Sequence, residues 1–274
     1  MYSRVYVEIT NICNMRCSFC HGHSRPPRQM TQDEYARVLE QLAGKTQYIY
    51  HHLMGEPLLH PQLPQFLKMA VVAGFRPMLT TNGTLLDRFG DHILIPGLHK
   101  VNISLHSFET GDPAHHENYL KQVAAFAQKA NQNCTLISLR LWNKGCDGGK
   151  NDATLEILQK ELPGQWTENT RGYRIRDGLF LEWGDRFVWP DQDAPEGSDC
   201  VYCHGLQDHF GILSDGTVVP CCLDSDGVID LGNVFSQDLS EILNSPRATA
   251  MAQGFRNRKA TEDLCRRCSY ARKF

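Results

Sequence analysis

The sequence predicts an α/β fold with a small cysteine-rich module at its C-terminal end, and three observations predict it. Short β-branched and aromatic runs alternate with helical apolar spacings along residues 3–183. A stretch rich in Pro, Gly and acids at 189–198 breaks that rhythm. Nine cysteines fall in two groups, Cys13, Cys17 and Cys20 near the start and Cys200, Cys203, Cys221, Cys222, Cys265 and Cys268 near the end. Strands alternating with helices imply right-handed βαβ units and a parallel sheet. Six such units closing part of the way give a partial (β/α)6 TIM-like barrel, whose ligands gather at the carboxyl ends of the strands.

Residues 3–10 alternate as a strand and run directly into the first cysteines. Thr31 and Glu34 form T-x-x-E, a capping box that opens a helix to about Leu42. A strand is expected at 47–52, then a helix at 63–72 closed by Gly74. Strands at 75–81 and 100–105 are followed by helices near 84–94 and 113–131. A fifth strand at 134–142 precedes a helix near 151–161, and a sixth strand lies at 179–183. The stretch 189–198 reads as a linker, which divides the chain into domains 1–188 and 199–274. In the second, 209–213 and 217–219 flank Ser214-Asp215-Gly216 as a β-hairpin with a D-G turn. One helix near 237–253 follows.

The chain has 274 residues and a net charge of -3, with no basic stripe, so nucleic acid is not an expected partner. Arg266, Arg267, Arg272 and Lys273 read as a solvated tail. No apolar run has transmembrane length and no leader pattern precedes the first strand, so a cytoplasmic protein without membrane association is expected. In that reducing compartment, eleven cysteines in clusters point to metal or catalysis rather than disulfides. Two groups imply two metal centres.

Cys13-x3-Cys17-x2-Cys20 follows the first strand. Three thiolates are one short of a closed tetrahedral zinc site, unless His21 or His23 completes it; on a cubane they leave one iron open to an outside ligand. The spacing, with Phe19 before the last cysteine, resembles the radical S-adenosylmethionine (SAM) superfamily. That resemblance implies a [4Fe-4S] cluster whose open iron chelates SAM, and reductive cleavage of SAM to methionine and a 5′-deoxyadenosyl radical.

Other strand ends carry the same resemblance. Met54-Gly55-Glu56-Pro57 is similar to the family's G-G-E-P segment, with Met54 in place of the first glycine. It implies contacts from Gly55 and Glu56 to the SAM ammonium; Glu56 can equally cap the next helix. Thr80-Thr81-Asn82-Gly83 resembles the T-N-G turn, which by itself is also an ordinary turn signal. Ser104 stands where the family places a serine on the SAM ribose, and His106 replaces the acid of S-x-D. Arg140, in L-R-L-W-N, can pair with the SAM carboxylate. For each of these two, ordinary packing is an equal alternative.

The second group resembles the short form of the SPASM auxiliary domain, which implies a second, auxiliary [4Fe-4S] cluster on Cys203, Cys221, Cys265 and Cys268. A module with so little apolar content needs a metal to hold it. Cys200-x2-Cys203 with Cys265-x2-Cys268 also has workable zinc-ribbon spacing. Cys200 stays unassigned, Cys222 reads as a small buried thiol, and Cys134 is expected to face the core. Cys146 lies in a Gly-rich loop, where a catalytic thiol is an alternative. His51 and His52 alternate, so at most one enters the barrel. Trp142, Glu182 and Trp183 can line a substrate pocket.

Proteins with this auxiliary domain act as dehydrogenases on small alcohols, as sulfatase maturases or as peptide modifiers, and the resemblance does not choose among them; the expectation is an oxidative modification of a peptide or small metabolite, with the auxiliary cluster accepting an electron and a flavodoxin or ferredoxin supplying the reductant. With few residues before the first strand, the chain is expected to bind its substrate directly or through a separate partner. The competing classes are a zinc-dependent barrel hydrolase or lyase and a non-catalytic iron–sulfur protein.

Overall fold

The computed structural model describes residues 1–109, 111–195 and 197–272; the side chain of Arg272 is outside that description, as is Lys273. Six parallel strands form the core: β1 (Arg4–Val7), β2 (Tyr48–Tyr50), β3 (Arg76–Thr81), β4 (Lys100–Ser104), β5 (Leu136–Lys144) and β8 (Leu179–Asp185). All six expected strands are present. Between β5 and β8 lies a hairpin the sequence reading missed, β6 (Thr167–Asn169) and β7 (Gly172–Arg176), antiparallel to each other and to β8. Its strands are short, polar and half exposed, so they carry no apolar alternation to detect.

The five crossover helices are α1 (Gln32–Leu42), α2 (Leu63–Val72), α3 (Leu86–Ile93), α4 (Pro113–Gln132) and α5 (Lys150–Glu161). The capping box forms: the Thr31 hydroxyl accepts from the Glu34 N–H, and the Glu34 carboxylate accepts from the Thr31 N–H. Val5, Val7, Ile49, Leu79, Val101, Ile137 and Leu179 turn outward and are buried together with Tyr35, Phe66, Leu67, Leu120 and Leu158 of the helices. Each such side chain contributes roughly 1.5–3 kcal/mol relative to exposure. Along β1 the other face is only half buried, Arg4 and Tyr6 alternating with buried Val5 and Val7.

The C-terminal hairpin forms as expected, with β9 (His209–Ile212) antiparallel to β10 (Val218–Val219). Gly216 at φ +89° makes its turn, and a Cβ there would meet Phe235 and Asn233. The hairpin also continues the main sheet, because β9 pairs parallel with β1. The sheet therefore has ten strands, ordered β10-β9-β1-β2-β3-β4-β5-β8-β7-β6.

The single helix expected near 237–253 is two: α6 (Leu239–Leu243) and α7 (Pro246–Arg256). Pro246 cannot continue a helix but suits its first turn, and Ser245 caps α7 by accepting from the Ala248 N–H. A last helical turn, α8 (Asp263–Arg266), carries Cys265.

Two further expectations are corrected. Arg266 is ion-paired to Asp199 at 2.8 Å and also to Asp263, and Arg267 donates to the Ala194 carbonyl, so these arginines fasten the C-terminal segment and are no solvated tail. Cys134 is exposed in a left-handed turn at φ 61° before β5, not core-facing. Among the described residues, no helix is long and apolar enough to cross a membrane.

Candidate active site

The loop after β1 carries Cys13, Cys17 and Cys20, and several strand ends hold it. Buried Glu8 takes a two-point ion pair from Arg25 at 2.7 and 2.8 Å and accepts from Ser214 and from the Met54 N–H. One carboxylate thus ties the far side of the cysteine loop to the end of β2 and to the C-terminal hairpin. Sequence reasoning missed Glu8; an acid at the buried end of a strand was the available signal. Asn11 closes the loop's base, donating to Pro26 O and accepting from the Arg28 N–H. Gly55, at φ +76°, lies against this base, and a Cβ there would stand 2.3 Å from Thr10 O. The glycine is required by that approach.

Glu56 is buried, and its carboxylate accepts from the Thr81 hydroxyl, the Asn82 N–H and the Leu58 N–H. It caps the 3₁₀ turn Pro57–Leu59 and fixes the Thr-Asn-Gly turn. Of the two roles expected for it, the capping one is formed in the structure. Burial pushes its carboxyl up to about 7. Asn82 in turn donates to Asn14 at 3.0 Å and lies 4.0 Å from Cys13 Sγ, so the turn reaches the cysteine loop. Cys17 Sγ is 3.5 Å from Ser107 O.

Phe19 packs on His106 (centroids 4.8 Å apart), and His106 stacks on Trp142 at 6.4 Å. These three rings line a cavity with Glu109, Cys146 and Arg186 between the cysteine loop and the ends of β4 and β5. Ser104 is in register with Arg140, and Arg140 with Glu182. The Arg140 guanidinium lies over the Trp142 ring at 4.6 Å, and its Nε is buried with no hydrogen-bond partner among the described residues, 3.8 Å from the Glu182 carboxylate. His51 is buried on the helix side against the Tyr35 hydroxyl at 2.6 Å, whereas His52 turns into the barrel beside Tyr6.

Burial and then the neighbouring Cys20 and Cys13 push the Cys17 thiol up to about 12; burial also raises Cys13. Such thiols stay protonated until a metal displaces the proton, which is the donor chemistry a cluster requires. His23 Nε2 is 2.9 Å from Asn11 O, while its Nδ1 is buried with no hydrogen-bond partner among the described residues, and His21 stacks on Trp189. Among the described residues no three His, Cys, Asp or Glu converge on a single ion.

At the other end, burial raises the thiols of Cys203 (to about 11), Cys221 and Cys265; Cys203 also feels Cys268, and Cys265 feels both. Cys221 stands in the field of Cys203 and Cys265. Cys222 turns toward the barrel and bonds the Tyr6 side chain. Cys200 is exposed and its backbone pairs with Lys259.

The stretch read as a linker is a strap. Trp189 Nε1 donates to Phe19 O at 3.0 Å, Arg186 to Ser18 O at 3.3 Å, and Ser269 to Val188 O at 2.5 Å. It joins the first cysteine loop to the last.

An open parallel barrel with a cysteine loop at its strand ends and a second thiol group beside it defines a cluster-dependent barrel enzyme, and comparison with known proteins gives the family. Residues 7–138 match the radical SAM superfamily, and residues 203–269 match SPASM, an iron–sulfur cluster-binding domain. A probable GTP 3′,8-cyclase of Methanococcus maripaludis is 30% identical over 83% of this chain and 87% of its own. The GTP 3′,8-cyclase of Chlorobaculum tepidum is 35% identical over 38% of this chain, which spans only 33% of that relative's length. A probable GTP 3′,8-cyclase of Archaeoglobus fulgidus is likewise spanned over 35% of its length. Among solved structures, BtrN in complex with AdoMet and 2-DOIA superposes with a TM-score of 0.64 at 18% identity, covering 98% of this chain and 93% of BtrN. Native anSMEcpe with bound AdoMet and Kp18Cys peptide gives 0.63 at 12% identity, covering 98% and 89%. The chain belongs to the radical SAM superfamily and carries a SPASM-type module; the family implies a SAM-binding [4Fe-4S] cluster and auxiliary iron–sulfur binding.

Proposed function

We propose that this radical SAM enzyme oxidatively modifies a small metabolite or peptide, with its SAM cluster on Cys13, Cys17 and Cys20 and an auxiliary cluster on Cys203, Cys221, Cys265 and Cys268. The observation that carries the reading is the pair of thiol groups on one sheet, bridged by Glu8 and by the strap at 186–195. When loaded, the two centres supply cleavage of SAM to methionine and a 5′-deoxyadenosyl radical, and an acceptor for the electron an oxidation releases.

The chain's own residues do the positioning. Arg140 offers the SAM carboxylate a buried cation whose Nε makes no hydrogen bond among the described residues and only a long ion pair to Glu182 at 3.8 Å, next to Ser104 for the ribose. Phe19, His106 and Trp142 give an aromatic wall for the adenine. Asn82 holds the loop through Asn14, and Gly55 lets the loop's base approach β2. Glu56 acts one step back, by fixing the Asn82 turn. The functional units are the barrel to about residue 188 and the module from about 199. A flavodoxin or ferredoxin supplies the electron, and eleven cysteines gathered mainly in two groups suit the reducing cytoplasm.

A nucleotide substrate is the second reading, favoured by the 30% identity to a probable GTP 3′,8-cyclase over most of both chains. Anaerobic turnover with SAM, followed by mass spectrometry of candidate substrates, separates the two. A product lighter by two hydrogens supports oxidation, and a nucleotide product of unchanged mass overturns it in favour of the second reading.

A further inference from the structure

A complete (β/α) barrel fills its interior with layers of branched apolar side chains. This one does not. The inward positions of β1, β2, β4, β5, β8 and β9 include Arg4, Tyr6, Tyr50, Lys100, Arg140, Glu182 and His209, each only partly buried, together with the buried polar Asn102 and Ser138, while the outward positions beside them are fully buried and apolar. The interior is therefore a polar lumen.

Its charges do not balance. Apart from the Glu8–Arg25 pair beyond the end of β1, which is balanced in itself, the lumen wall carries three cations, Arg4, Lys100 and Arg140, and one carboxylate, Glu182. Glu182 serves two of the cations, standing 3.9 Å from Lys100 and 3.8 Å from Arg140, and it also accepts from the Ser138 hydroxyl. Arg140 is given to SAM on the reading above. Arg4 remains. Its neighbours are the phenols of Tyr6 and Tyr50 and the thiol of Cys222, and among the described residues no carboxylate pairs with it.

Around Arg4 the unsatisfied nitrogens cluster. Arg4 is in register with His209, and the Tyr6 ring is flanked by His209 at 5.6 Å, His52 at 5.6 Å and Tyr50 at 5.2 Å. The Nε of Arg4 and the Nδ1 atoms of His52 and His209 are all buried with no hydrogen-bond partner. Three buried nitrogens left unpaired around one ring cost several kcal/mol unless an acceptor reaches them. Burial, and then the nearby arginines, hold both histidines neutral, and in the Nδ1–H tautomer each has one ring N–H to give at its unpartnered nitrogen. The group that satisfies this set presents several oxygen acceptors and a negative charge.

We propose that Arg4, His52 and His209 form an anion-recognition site on the lumen wall of β1, β2 and β9, and that the substrate carries a carboxylate or phosphate that docks there. The inference rests on the radical SAM reading and names the substrate class for that same barrel. It places the anionic end of the substrate beside Cys222, on the side of the auxiliary thiols, and leaves the SAM-side strand ends for the reacting carbon.

The test is made on the cluster-loaded enzyme. Inorganic phosphate and acetate are added separately, against sodium chloride of matched ionic strength, and the melting temperature is followed with calorimetric titration. At tenfold excess over Kd, the preferred anion raises the melting point by about 3–5 °C. A phosphate response assigns a phosphorylated substrate and an acetate response a carboxylate; either supports the site. Arg4→Gln and His209→Gln each remove most of the response, and Arg4→Lys, which keeps charge but not the planar fork, weakens binding about tenfold and carries the test should Arg4→Gln not fold. No response to either anion, or a response that survives in these variants, overturns the proposal. In parallel, the wild-type enzyme with SAM and dithionite is assayed for 5′-deoxyadenosine. If none forms, the radical SAM reading itself fails; if it forms while no anion responds, only the present inference fails.

Discussion

Glu8 shows how much one residue decides. Its carboxylate is fully buried, paired with an Arg25 side chain only a tenth exposed, and shared between the cysteine loop, the β2 end and the C-terminal hairpin. Removing one partner of a buried pair leaves the other charge uncompensated. Glu8→Ala is expected to cost about 3–5 kcal/mol, read by chemical denaturation. His51 makes a second residue-scale prediction. Burial lowers its pKa to about 4 against the Tyr35 hydroxyl. The native state then binds fewer protons than the unfolded chain between about pH 6.5 and 4, so stability is lost as pH falls through that window. His51 alone should remove about 2 kcal/mol between pH 7.5 and 5, and a flat stability profile over that interval would contradict its neutral burial.

At the scale of elements, the β1 loop depends on backbone approach. Gly55→Ala places a Cβ against Thr10 O in a left-handed conformation, so the loop base must open. Iron bound at the N-terminal site after reconstitution should fall several-fold, with the second site retained. Which elements were legible in the sequence follows from the same physics. The six parallel strands and their helices announce themselves because each buries an apolar face, and Thr31 with Glu34 marks its helix start by a local bond. β6 and β7 bury little and stayed invisible. The break at Ser245-Pro246 was readable, and the helical spacing around it masked it. The stretch 189–198 looked like a linker by composition, because the contacts that fasten it and the residues just before it, at Phe19, Ser18 and Ser269, are remote in sequence.

For the whole molecule, the sequence placed both thiol groups by spacing but not the sheet that joins them. β9 adds to β1 in parallel, and only long-range pairing determines that. Glu56 shows the converse: its motif was visible, yet its task, capping a 3₁₀ turn and bracing Asn82, was one of two that the sequence allowed. The central claim is that Cys13, Cys17 and Cys20 together hold a cubane with one iron left for SAM. Anaerobic reconstitution with iron and sulfide, followed by iron analysis and a 5′-deoxyadenosine assay, tests it most directly in the Cys13→Ala/Cys17→Ala/Cys20→Ala variant. The wild-type chain should bind about eight irons and the variant about four, with no 5′-deoxyadenosine from the variant. Undiminished iron, or 5′-deoxyadenosine still formed without the three thiols, would contradict the account.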